Sequence, residues 1–250
     1  MHIWGINIYS GGLPCSTTIK RKVKPMLGFK SFDGGNVVGL IFPVYYFGIP
    51  EIVRRFIEKI NLEKSSYVFA VATYGKGLPG GGLSQTKKML KAKGKELSAG
   101  FYVKTVDNFV IWTWDVTPEK KHKSLHEKAE IKAKKIADIE SKKSIKYDRS
   151  LMEYIGPVIF NYRGFLKKVK SGDKKFYSTK DCVSCALCEK VCQVKNIKMS
   201  QGKPEWLSKT CQRCLACYHL CPQNAVHFGE VKRSRYKNPY INIKELTNGN

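Results

Sequence analysis

At 250 residues with 42% hydrophobic content, the chain can build one ordinary core and a smaller second module. No uninterrupted apolar run approaches the roughly 18 residues of a membrane span. The opening MHIWGINIYS lacks the basic, apolar and small-residue pattern of a signal peptide, so a cytoplasmic protein without a membrane span is expected. A formal charge of +25 raises nucleic acid as a partner, but the lysines are scattered, with no aromatic-rich RNA signature and no helix-turn-helix. The expectation is a solvated basic surface that steers toward an acidic redox partner protein.

Residues 1–141 alternate short apolar runs with helical patterns, which predicts βα units and a doubly wound parallel sheet, an α/β fold. His2 to Tyr9 reads as the first strand. The loop after it, Ser10-Gly11-Gly12-Leu13-Pro14-Cys15-Ser16-Thr17-Thr18, offers glycines and hydroxyls ahead of a helix, the chemistry of a phosphate cradle. Pro14 contributes no N–H to it, and Cys15 reads as an inert thiol. Only about 19 residues separate Thr17 from Asn36, too few for a full helix and strand, so the second strand should be shortened or lost, with Met26 to Phe32 as its remnant.

Asn36 to Pro43 and Ser66 to Thr73 are nearly continuous apolar runs, as expected of central strands covered on both faces, and Glu96 to Val106 supplies another strand. Between them, Pro50 to Ile60 predicts a helix with Ile52, Val53, Phe56, Ile57 and Ile60 on one stripe. Leu83 to Lys93 predicts a second, ended by Gly94. Pro118 to Lys142 predicts a third, with Leu125, Ala129, Ile136 and Ile139 inward; His122 and His126 on it read as a solvated face rather than a metal clamp.

Doubly wound sheets bind ligands beyond the carboxyl ends of their strands. Two such loops, Pro43-Val44-Tyr45-Tyr46-Phe47-Gly48 and Thr73-Tyr74-Gly75-Lys76-Gly77, combine aromatic residues and glycines that can sandwich a flat ring, and Trp112 to Trp114 is a further aromatic loop. Residues 142–172 form a connector, broken at Gly156 and Pro157 and expected to dock the two domains. A second module follows at 173–229, then a basic tail at 230–250.

The second module carries Cys182, Cys185, Cys188 and Cys192, then Cys211, Cys214, Cys217 and Cys221, two runs with the same spacing. That spacing matches the bacterial ferredoxin pattern, in which three close thiolates and a fourth from the other run hold each of two 4Fe-4S clusters. One set is then Cys182, Cys185, Cys188 and Cys221; the other is Cys211, Cys214, Cys217 and Cys192. A zinc ribbon would leave cysteines idle, and disulfides need an oxidising compartment. Each run is followed by a short β segment, NIKMS and AVHFG, an internal repeat. Trp206 and Tyr218 read as packing or as shields of a cluster, His219 and His227 as titratable groups near one, and Gln193 as a changed turn without loss of a ligand.

With Gly39 to Ile60, Val71 to Leu83, Asp107 to Val110, both cysteine runs and Arg235 to Pro239, the chain resembles the flavodoxin-like/ferredoxin fusion family of anaerobes. The resemblance covers nearly the whole length. It implies a flavodoxin-like domain followed by an α+β two-cluster ferredoxin domain, with FMN phosphate held at Ser10, Gly11, Gly12, Ser16 and Thr17. The flavin ring would lie between Pro43, Val44, Tyr45, Tyr46 and Phe47 on one side and Thr73, Tyr74, Gly75 and Gly77 on the other. A phosphate loop that departs from the usual S-G-T-G-N-T keeps a second reading open, a scaffold with an empty flavin site. The expected function is an electron carrier passing single electrons between two 4Fe-4S clusters and FMN. An FMN-dependent reductase of a small acceptor is the alternative, and an iron-sulfur nucleic-acid binder, resting on charge alone, is the third reading.

Overall fold

The computed structural model describes residues 2–5, 23–25, 32–111, 115–154, 172–208, 211–241, 243 and 247. The strands of the first domain are β1 (His2–Gly5), β2 (Val23–Pro25), β3 (Phe32–Asp33), β4 (Val37–Pro43), β5 (Ile60–Asn61), β6 (Tyr67–Tyr74), β7 (Ala99–Lys104) and β8 (Lys146–Tyr147). Six of them join in one sheet, ordered β2-β1-β4-β6-β7-β8, and every pairing in it is parallel. Counted by succession in the sheet, the first five run 2-1-3-4-5, compatible with a flavodoxin-like core.

The second strand is indeed short, but it is Val23–Pro25 rather than Met26 to Phe32. Pro25 cannot donate to a ladder and is tolerated because β2 is an edge. Phe32, the last residue of the expected remnant, instead pairs with Ile60 in the separate β3–β5 pair.

Strand periodicity divides the core into two layers. Val38, Leu40, Phe42, Val68, Ala70, Ala72 and Tyr102 pack on one face with Val53, Phe56 and Ile57 of α1 (Glu51–Lys59) and Leu83 and Leu90 of α2 (Gly82–Lys91). Val37, Phe69, Val71, Phe101 and Val103 pack on the other with Ala129 and Ile136 of α3 (His122–Ser141). Helices on both faces explain why these strands read as continuous apolar runs. Pro50 precedes α1, with Glu51 in its first turn and Lys59 in its last, as the helix dipole favours. Beyond α2, Gly94 is left-handed at φ +69°, its N–H reaching the Lys91 carbonyl while the Lys95 N–H reaches Leu90. That is a Schellman ending, which favours glycine at that position.

Within β4, a Cβ on Gly39 would overlap the Phe69 ring, which crosses the sheet in the α3 layer. Gly39→Ala is expected to cost about 1–3 kcal/mol by overpacking, read as a lower midpoint in urea unfolding.

The second module contains β9 (Phe176–Ser178), α4 (Leu187–Lys190), β10 (Ile197–Ser200), β11 (Lys203–Trp206), α5 (Ala216–Leu220) and β12 (Val226–Phe228), with antiparallel pairs β9–β12 and β10–β11. Its core of Phe176, Ile197, Leu215, Tyr218, Val226 and Phe228 is continuous with Val106, Val110 and Val116 from the loops after β7. A module this small cannot bury a sufficient core alone, and it leans on the first domain.

Residues 230–241, part of the basic tail expected at 230–250, run back between the two parts. Arg235 stacks 4.0 Å over the Tyr218 ring and donates to the carbonyls of Tyr218, Asn224 and Val226. Ser234 donates to both oxygens of Asp115. Tyr236 is 4% exposed and its hydroxyl meets Nε2 of His126 at 3.1 Å. His126 is therefore buried, not on a solvated face; burial lowers its pKa, with His122 adding to the effect. Among the described residues no helix is long and apolar enough to cross a membrane.

Candidate functional site

The two cysteine runs fold as the same backbone twice. Ser184 and Ala186 in the first, and Arg213 and Leu215 at the equivalent places in the second, are left-handed at φ +58°, +57°, +51° and +62°. None is glycine, and each costs roughly 1–3 kcal/mol unless its surroundings over-determine it. Alternating handedness turns successive N–H groups inward, the geometry of an anion-binding nest. After the fourth cysteine the parallel continues: Lys195 and Asn224 are left-handed, the Asn196 N–H donates to Cys192 Sγ, and the Ala225 N–H donates to Cys221 Sγ, both at 3.2 Å. The Arg213 N–H likewise donates to Cys211 Sγ at 3.4 Å. Donors aimed at sulfur stabilise thiolates and tune any cluster they hold.

All eight cysteines are unbridged thiols. Cys192, Cys211, Cys214 and Cys217 line one cavity, walled also by Phe176, Ile197, Trp206 and Gln193. In the other set, burial pushes the Cys188 thiol up to about 11, and Cys185, Cys182 and Cys221 add to the rise. Burial likewise pushes Cys211 and Cys214 up to about 12, and Cys217 well above its ordinary value. Among the described residues no three His, Cys, Asp or Glu side chains converge on a point fit for one metal ion. Four thiols around one cavity are a soft donor set that could hold a metal centre. The sets differ in exposure: Cys185 and Val183 face solvent, whereas Cys217 is buried.

Beyond the carboxyl ends of β4, β6 and β7 lies a cavity of about 160 Å³. The β4 loop enters it as a two-residue turn in which Tyr45 and Gly48 exchange both backbone hydrogen bonds at 2.9 Å. The central residues, Tyr46 and Phe47, sit at φ +49° and +65°. Turns of this kind favour Asn-Gly, and two bulky aromatics there are strained. The strain is held from outside. Gly81 donates to the Phe47 carbonyl at 2.6 Å, and Gly80 lies so close that a Cβ would fall on the Phe47 backbone. Tyr46 packs edge-on to Phe109 with ring centroids 5.2 Å apart, and burial raises its hydroxyl to about 12.

The facing loops are tied by Asp107, whose carboxylate accepts from the N–H groups of Lys76 at 3.1 Å and Phe109 at 2.9 Å. Gly75 allows this approach, since a Cβ there would lie 2.6 Å from Asp107 Cβ and Cγ. The remaining wall is Arg213, Cys214 and Leu215 from the second cysteine run. The same three residues line the four-thiol cavity, so the two spaces share a wall.

Deep in the interface, His219 is fully buried. Its Nδ1 accepts from the Tyr236 N–H at 3.2 Å, so Nε2 holds the proton and donates to the Asn108 carbonyl at 2.8 Å. The ring is neutral, and burial lowers its pKa to about 4. It joins the second module, the pocket loop and the C-terminal segment rather than placing a titrating charge near a cluster. His227 stacks on Tyr177.

Of the residues expected around a flat ring, Pro43, Val44, Tyr45, Tyr46, Phe47, Thr73, Tyr74 and Gly75 line the pocket, while Gly77 is not among its walls. Gly77 is left-handed at φ +73° with open space where a Cβ would stand, a turn residue. Ser10, Gly11, Gly12, Cys15, Ser16, Thr17 and Trp112 to Trp114 lie outside the described residues. Sequence reading missed the roles of Asp107, Asn108 and Arg213. Compared with known proteins, the chain matches no family model and no curated protein.

Proposed function

We propose that the chain is an electron carrier holding two four-iron clusters, with the pocket beside the second thiol set taking the ring of FMN. The observation that carries this reading is the shared wall: Cys214 belongs both to a cavity lined by four thiols and to an aromatic pocket at the end of a parallel sheet. Cys182, Cys185, Cys188 and Cys221 would hold one cluster, and Cys192, Cys211, Cys214 and Cys217 the other. Clusters exchange one electron each, while a flavin accepts one or two.

The chain's own contribution is arrangement. Its backbone donors aim at the sulfurs, largely apolar walls surround the second set, and the aromatic turn offers Phe47, 37% exposed, as a cover for a bound ring. The first set, with Cys185 exposed and Lys180, Lys190 and Lys195 exposed around it, suits contact with an acidic redox protein. The flavodoxin-like and ferredoxin-like identity of the two parts belongs to this same proposal.

Mixing the anaerobic holoprotein with reduced ferredoxin and a quinone or nitro acceptor tests the carrier against the reductase. A carrier is expected to equilibrate within one reduction cycle and stop; sustained acceptor turnover would favour the reductase.

A further inference from the structure

Arg213 belongs to the second module by sequence and to the pocket by position. It stands between Cys211 and Cys214 in the sequence and lines both cavities, in the pocket together with Tyr46 of the strained turn. Its left-handed backbone, φ +51°, carries the side chain from the cysteine loop toward the first domain. The path runs across Gly172: a Cβ there would overlap Nε, Cζ and Nη2 of the guanidinium. Gly172 thus keeps open the space that Arg213 fills.

We propose, resting on the electron-carrier reading above, that Arg213 is a positioning residue serving both cavities: it binds the polar edge of a planar ring in the pocket and makes the second cluster easier to reduce than the first. A guanidinium is permanently charged and presents several donors in one plane, suited to a ring system with carbonyl oxygens along one side. Its positive charge favours an added electron nearby, and the effect falls with distance and with water between the charges. Arg213 lines the cavity of Cys192, Cys211, Cys214 and Cys217, while Cys182, Cys185 and Cys188 lie in the other run. The selectivity of the effect therefore follows from position.

The test is a potentiometric titration of the cluster-loaded full chain followed by electron paramagnetic resonance, together with an FMN titration by fluorescence quenching. Arg213→Gln should lower the midpoint of one cluster and leave the other, and weaken FMN about tenfold, the loss of one charge-assisted hydrogen bond. Arg213→Lys should recover part of the midpoint. Gly172→Ala, which keeps the charge but displaces it, should move the same cluster in the same direction. Variants that retain full iron while both midpoints stay put, or move together, with unchanged FMN affinity would overturn the role of Arg213. A wild-type chain that takes up neither iron nor FMN would overturn the parent reading instead.

Discussion

Cys214→Ala is expected to remove half of the iron and most of the FMN affinity in one step, whereas Cys185→Ala should remove half of the iron and leave FMN binding intact. In the proposed electron carrier each thiol belongs to one crossed four-cysteine set, so each loss should take iron from about eight to about four atoms per chain. The difference arises from place. Cys185 is exposed and is not among the pocket's walls; the proposal puts it in the set with Cys182, Cys188 and Cys221. Cys214 is packed against the core of the first domain and lines the pocket. Emptying its cavity removes the support behind Arg213 and Leu215, and the wall can relax inward, so FMN binding should weaken at least tenfold, about 1.4 kcal/mol. Iron analysis and FMN titration on the two variants check this. Equal FMN affinities would mean that the cavities do not depend on each other.

Phe47→Gly carries the second large effect, and its two consequences have opposite signs. Replacing a large aromatic by glycine ordinarily destabilises a protein. Here Phe47 is partly exposed and left-handed at φ +65°, a conformation that costs a non-glycine residue roughly 1–2 kcal/mol. Glycine also gains entropy in the unfolded chain, which returns part of that relief. The net expectation is a gain of about 1 kcal/mol in urea unfolding. The ring, however, is what would cover a bound planar ligand, and its loss should weaken FMN about tenfold through lost aromatic contact. Tyr46→Asn is not equivalent, because it also removes the contact with Phe109 and an aromatic wall of the pocket that Arg213 lines. A Phe47→Gly variant that is both less stable and unchanged in FMN binding would show that the turn is held for packing alone.

The sheet and the thiol sets were legible in the sequence because both rest on strong local patterns. Continuous apolar runs at Val37–Pro43 and Tyr67–Tyr74 signal strands buried on both faces, and the rule that ligands sit beyond their carboxyl ends pointed to Tyr45, Tyr46 and Tyr74. Equal cysteine spacing implied the crossed gathering of Cys192 with Cys211, Cys214 and Cys217. The three-residue strand at Val23–Pro25 escaped because it is too short to show a period.

Nothing in Tyr45-Tyr46-Phe47-Gly48 advertises a left-handed turn, since the usual Asn-Gly is absent and the strain is sustained by Gly80 and Gly81, distant in sequence. Arg213 looks like any loop cation until Gly172 and Tyr46 are seen around it. His126 looks like a surface residue on a lysine-rich helix until Tyr236, 110 positions away, covers it. Each miss is a contact between segments far apart in the chain, which local patterning does not encode. Lys76, adjacent to the expected Gly75, was read as part of a glycine loop, whereas its N–H completes the Asp107 tie across the pocket.

The most direct measurement is metal, sulfide and flavin analysis of the full chain purified without oxygen, with its absorption spectrum. About eight iron and eight sulfide per chain together with one FMN are predicted. Iron and sulfide without any flavin would contradict the pocket's role, and zinc or no metal at all would contradict the clusters.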